Sequence, residues 1–272
     1  MKNLSCFVLI LLMTLISHSY AQLSIGTNHP ELDWKIFETP HFKIIYHKGI
    51  EVQAEEVAQV AEEVYGPITQ DLGVEPRGKT TIIVSDYDDI SNGLSMPLGH
   101  YIFIWAQSFK KYTTGRMKWL RRVVAHEFTH QINFWGVRGF PGTIRELLAL
   151  GFMPMWFVEG LAQYEAETWD THRDLLLRVA AVDMRLLPPK KLEGFIGADQ
   201  IDARLVYEQG HSLVRYIAAK YGPDKIRLIL RKHRAFPFSF NWALKRAIKV
   251  NENKLYQDWW AEVTGHYLHQ WK

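Results

Sequence analysis

The chain has a single cysteine, Cys6, among 272 residues. That excludes a disulfide framework and any cysteine metal cluster, so a bound metal would have to be held by histidine, aspartate or glutamate. An excess of one charge is also missing. The 32 lysines and arginines face 29 aspartates and glutamates, a net +3. This balance offers no broad basic surface, and no nucleic-acid partner is expected. Lys110-Lys111 and Arg121-Arg122 read as solvated basic pairs. Spanning segments around the central histidines are lacking, which excludes an intramembrane enzyme. Leu147 to Val158 is strongly apolar but short, and is broken by Gly151 and Pro154. Core packing is the plain reading of it, and a lid or a loop in peripheral contact with a membrane is the alternative.

What is present begins with an export-like segment. Lys2 supplies a positive start, Cys6 to Ile16 an apolar run, and Ser19-Tyr20-Ala21 small residues around a cleavage point before Gln22. A signal peptide over residues 1–21 and a secreted or periplasmic mature chain are expected, with an uncleaved membrane anchor as the other reading. Hydrophobic residues make up 47% of the chain, enough for a sizeable core.

The pattern then predicts strands at Phe42–Tyr46, Thr80–Val84 and Tyr101–Trp105, and a helix over Ile50–Tyr65 with Gly66-Pro67 near its end. Asp86 to Gly93 reads as turn-rich. From Lys118 onward almost everything is helical. The expectation is an α+β fold with a small mixed sheet in an α/β lobe over residues 22–135, and a mostly helical lobe over residues 136–272.

The centre of the argument is His126-Glu127-Phe128-Thr129-His130. Residues four apart share one helix face, so both imidazoles can reach a single ion. Glu127 lies about 100° round the helix, beside that ion rather than on it, where a base for a reacting water belongs. Val124, Phe128, Ile132 and Trp135 make an apolar stripe, and Val123 and Phe134 lie near the histidine face, so the helix is central and its polar groups need a partner. Catalytic zinc takes three protein ligands and keeps a fourth position open. Glu159, an acid in the otherwise apolar Met155-to-Ala162 segment, is the candidate third ligand, and a salt bridge to Arg145 or Arg173 is the other reading. Gly160 beside it would let another backbone pack close. Tyr207 and His211, four apart on one helix, are candidates to stabilise an oxyanion. His100, just ahead of Tyr101–Trp105, reads as a surface residue, with a place lining the cleft as the other reading.

With these residues in view, the chain resembles the gluzincin zinc metallopeptidases, and more narrowly the bacterial peptidase MA-like family. The likeness rests on His126-Glu127-Phe128-Thr129-His130 and on Pro154-Met155-Trp156-Phe157-Val158-Glu159-Gly160-Leu161-Ala162, with softer matches at Trp34–Phe42 and Tyr207–Ile217. It implies a thermolysin-like fold and Zn2+ held by His126, His130 and Glu159. It also implies Glu127 as general base, Tyr207 as the preferred oxyanion donor, and an edge strand, here Tyr101–Trp105, along which a peptide or protein substrate could lie. The interval between His130 and Glu159 is longer than in thermolysin-like enzymes. Gln163 stands where an acid often orients a histidine ligand, with Glu165 and Asp202 as substitutes. Members of the family often precede a β-propeller, so this chain would be a stand-alone or truncated version. A metal-stabilised module that binds peptides or envelope components without cutting them is the competing function.

Overall fold

The β-branched run Thr80-Thr81-Ile82-Ile83-Val84 forms the middle of a five-stranded sheet. The structure is a computed structural model and describes residues 29–88, 90–107, 116–139 and 142–270; the expected signal peptide lies outside them. Strands β1 (Trp34–Glu38), β2 (Phe42–His47), β3 (Thr80–Ser85), β4 (Ser91–Met96) and β5 (Tyr101–Ala106) lie in the order β1-β2-β3-β5-β4. β3 runs parallel to both neighbours, with Ile82 opposite Ile44 and Ile102. β4 is antiparallel to β5, with Gly93 opposite Ile104. The isoleucines at 44, 82, 102 and 104 are fully buried, as expected for strands covered on the inner face.

Two expectations are corrected here. Tyr101–Trp105 is a strand, but β3 and β4 flank it, so it is not the edge. The edge on this side is β4, whose first three residues, 91–93, fall inside the turn-rich reading of 86–93. Its Ser-Asn-Gly-Leu-Ser-Met sequence has no β-branched residue, and pairing with β5 decides its conformation. The first helix, α1 (Glu51–Leu72), also runs past Pro67 instead of ending near it. Ile68 and Leu72 are buried on its far side, and that burial offsets the hydrogen bond lost at the proline. Gly73, at φ 64°, then closes the helix.

The described residues hold ten helices: α1, between β2 and β3, and after the sheet α2 (Arg116–Val137), α3 (Thr143–Gly151), α4 (Met155–Ala166), α5 (Thr171–Val182), α6 (Pro189–Leu192), α7 (Gln200–Tyr221), α8 (Asp224–Ala235), α9 (Phe240–Ile248) and α10 (Glu252–Gln270). The α+β class is therefore observed: a small mixed sheet first, then helices. The described residues from 35 onward form one compact unit; in the short segment before it, the Trp34 indole donates to the His29 carbonyl at 2.9 Å.

α2 is the helix on which the rest is organised. Val124, Phe128 and Ile132 are fully buried. Phe128 meets Phe42 of β2 at 5.3 Å between ring centres and Tyr65 of α1 at 5.6 Å. Each such side chain contributes about 2–3 kcal/mol by burial, so this face anchors the helix firmly. Three polar contacts tie its other side to the sheet. Ser95 Oγ of β4 donates to the Glu127 carbonyl at 2.6 Å. Gln131 Nε2 donates to the carbonyls of Met96 and Tyr101 at 3.2 and 3.1 Å.

Candidate metal centre

The face of α2 opposite Phe128 opens on a cleft of about 850 Å³. His126, Glu127 and His130 line it from α2, Glu159 and Gln163 from α4, Tyr207 from α7, and β4 forms one wall. The two histidines stand one helical turn apart, and their Nε2 atoms face each other at 3.2 Å.

Glu159 is carried to them by a close helix crossing. A Cβ added at Gly160 would overlap the backbone of Gly210 on α7, and one added at Gly210 would overlap the Trp156 carbonyl. Only glycine at both points lets α4 and α7 touch backbone to backbone. Glu159 Oε2 then lies 3.2 Å from His126 Nε2 and 3.4 Å from His130 Nε2. Neither arginine considered as its partner is there. Arg145 donates to the carbonyls of Arg234 and Ala235, and Arg173 is engaged elsewhere.

Three ligand atoms with mutual separations of 3.2, 3.2 and 3.4 Å fit a dication. Tetrahedral bonds of about 2.0–2.1 Å place ligands about 3.3–3.4 Å apart. Among the described residues this is the one group of three His, Asp or Glu side chains that converges in this way. The electrostatics agree. Burial alone would push the Glu159 carboxyl up, but the charge of His130 and the bonds from both imidazoles hold it well below the usual range. Burial likewise opposes a charge on His130, yet Glu159 raises its pKa. The site stabilises positive charge between these groups.

Glu127 stays off this triangle. It is buried at 5% exposure, and its side chain lies against Gly93 of the edge strand. Its charge reaches both His130 and Tyr207. Tyr207 sits with its ring centre 6.3 Å from that of His126 and stacks on Phe195 at 5.6 Å. Burial, then the charges of Glu159 and Glu127, push its phenol well above the ordinary value, so it remains an O–H donor.

His211 points elsewhere. It is 1% exposed, packs edge-on to Trp169 and Tyr164, and does not line the cleft. Burial and the charges of Arg173 and Arg215 push it down to about 3, so it is a neutral core residue. His100 is not a surface residue either: it stacks on Trp135 at 4.2 Å beside Arg138 and Glu146.

Gln163 does not orient a histidine through any described bond; its Oε1 accepts from Arg173 Nη2 at 2.6 Å. Asp202 pairs with Lys191 at 2.7 Å, away from the histidines. Sequence reasoning missed Arg173 as anything but a partner for Glu159. It also missed Glu167 and Glu208, both bonded to Arg173, and Gly93. Their spacing in sequence carries no signal, since α5, α4, α7 and β4 meet only through the tertiary fold.

A family model described as the Peptidase MA superfamily matches residues 110–265, more than half of the chain and all the residues of the triangle. No curated protein matches the chain. With the α+β fold and the converging His126, His130 and Glu159, this match identifies the chain as a member of the Peptidase MA superfamily.

Proposed function

We propose that the protein is an exported zinc-dependent metallopeptidase in which His126, His130 and Glu159 hold the ion and Glu127 is the general base. The observation that carries this reading is the convergence of three ligand atoms within 3.4 Å of one another in a wide cleft, with a fourth, non-ligating carboxylate beside them. His126, His130 and Glu159 would hold the zinc, which would supply Lewis acidity toward a water molecule and the scissile carbonyl. Glu127 accepts the proton of the attacking water and delivers it to the leaving amine. Its burial against Gly93 restricts its rotamers, so the base is held in one place. The Tyr207 hydroxyl donates to the oxyanion of the tetrahedral intermediate. β4, as the exposed edge, accepts the peptide as an added strand through main-chain hydrogen bonds. Export rests on the sequence of residues 1–21, with its positive start, apolar run and small residues before Gln22.

The test pairs metal content with turnover. Purified protein should hold about one zinc per chain and cleave peptides. Glu127→Gln should keep the zinc and lose hydrolysis. A wild type that holds zinc but cuts nothing in a broad peptide library would instead be the non-catalytic binding module.

A further inference from the structure

The cleft differs chemically at its two ends. α2 and α4 run antiparallel along it: Arg122, early in α2, pairs with Glu167 at the end of α4, while Asn133, late in α2, contacts Met153 just before α4 begins. The end beyond His130 is apolar, formed by Phe134, Leu150, Met153 and Met155. The end beyond His126, which Trp119 and Val123 also line, differs in carrying an alternating chain of charges. Arg122 pairs with Glu167 Oε2 at 3.3 Å. Glu167 Oε1 pairs with Arg173. Arg173 pairs with Glu208 Oε2 at 2.6 Å, and Glu208 Oε1 with Arg204 at 2.7 Å.

This chain has three cations and two anions, so it carries one net positive charge. Both carboxylates use both oxygens inside it. The central members are deeply buried, with side-chain exposures of 5% for Arg173 and 0% for Glu208. The two ends, both arginines, are the exposed members at 33% and 45%, and both line the cleft. Each is paired through one terminal nitrogen, whereas a guanidinium presents five N–H donors. A dication on the histidines cancels Glu127 and Glu159 in formal charge; Asp170 interacts with Arg173, the buried middle of the chain, while Arg122 and Arg204 remain the charged members at its exposed ends.

Resting on the peptidase reading, we infer that the cleft selects substrates with a carboxylate on one side of the scissile bond, at Arg122 and Arg204, and an apolar side chain on the other. Arg122 and Phe134 are twelve residues apart on one helix, about 18 Å. An extended peptide covers that span in roughly five residues. Arginine suits this role because its planar fork matches a carboxylate. The carboxylate can belong to an aspartate or glutamate side chain or to the end of the peptide.

The experiment uses the zinc-loaded full chain and matched peptides. One pair places Glu or Gln two to four residues from an apolar residue, in both orders; another ends in a free carboxylate or an amide. Cleavage is read as kcat/KM, and binding as Kd with Glu127→Gln. The expected result is at least a fivefold preference for the charged member, on one side only, in both readouts. Preference for internal Glu identifies a side-chain site, and preference for the free end alone identifies a terminal one; either supports the inference. In Arg204→Gln and in Arg122→Gln the preference should fall toward one. Raised ionic strength should reduce it in the wild type, which needs no variant to fold. Equal handling of Glu and Gln, and of carboxylate and amide, overturns the inference and leaves the peptidase reading intact. Charge-selective binding without cleavage by the wild type keeps the inference and removes the peptidase reading. Failure both to bind and to cut any of the peptides overturns both.

Discussion

Gly93 lies directly against Glu127: a Cβ at position 93 would come within 2.5 Å of Glu127 Cγ and 2.7 Å of its Oε1. The edge strand therefore shapes the position of the candidate base as well as one wall of the cleft. Gly93→Ala should displace the carboxylate and lower kcat by roughly 10–100-fold while zinc content stays unchanged. Steady-state kinetics beside metal analysis read this. An unaltered kcat would show that the Glu127 position tolerates movement and that the contact is ordinary packing.

The Gly160–Gly210 crossing should matter for stability first. Alanine at either position drives a methyl group into a neighbouring backbone, at a cost of about 3 kcal/mol. Gly265→Ala is the control, because nothing lies within 4 Å of its added Cβ and the site is helical. That change should stabilise the chain by up to about 1 kcal/mol. Urea midpoints of the three variants compare them, and equal midpoints for Gly160→Ala and wild type would contradict the close crossing.

Tyr207 and His211 can be separated by what each substitution damages. Tyr207→Phe removes a donor over the cleft and should cost about 100-fold in kcat with little change in KM or zinc content. His211→Gln disturbs a buried site beside Trp169 and should lower the melting temperature more than the rate. The reverse pattern would move the oxyanion donor from Tyr207 to another group.

Stability should fall as the solution becomes mildly alkaline. Burial, then the nearby charge of Asp71, push the Glu165 carboxyl up to about 8 from 4.5. The folded chain keeps a proton that the unfolded chain releases, so this group makes stability decline between about pH 4.5 and 8. His211, depressed from 6.5 to about 3, acts in the opposite direction, and its contribution grows from about pH 3 to 6.5. Of these two groups, only Glu165 acts between pH 6.5 and 8. Denaturation midpoints should drop over that interval in the wild type and drop less in Glu165→Gln. Identical pH profiles for the two proteins would rule Glu165 out as the source.

Local rules were enough for much of this molecule. Four-residue spacing places His126 and His130 on one face of any helix, and the buried acid at Glu159 is conspicuous because isolated carboxylates avoid apolar segments. The helical periodicity from Lys118 onward, the β-branched run of β3 and the isoleucines and aromatics of β5 reflect preferences within each element, so they can be read residue by residue.

The remainder depends on which elements meet. β4 lacks intrinsic strand propensity and exists through its pairing with β5, which transferred the edge of the sheet from 101–105 to 91–96. That Tyr207 and not His211 lines the cleft depends on how α7 packs against α4, where two glycines fifty residues apart let the backbones touch. The arginine chain joins side chains from α2, α4, α5 and α7, and its charge surplus emerges only when all four pack together. Sequence alone determined the chemistry available to this protein, because ligand type and helical spacing are local properties. The tertiary structure decided which groups share the cleft, because burial and pairing energies depend on residues that the chain order keeps far apart.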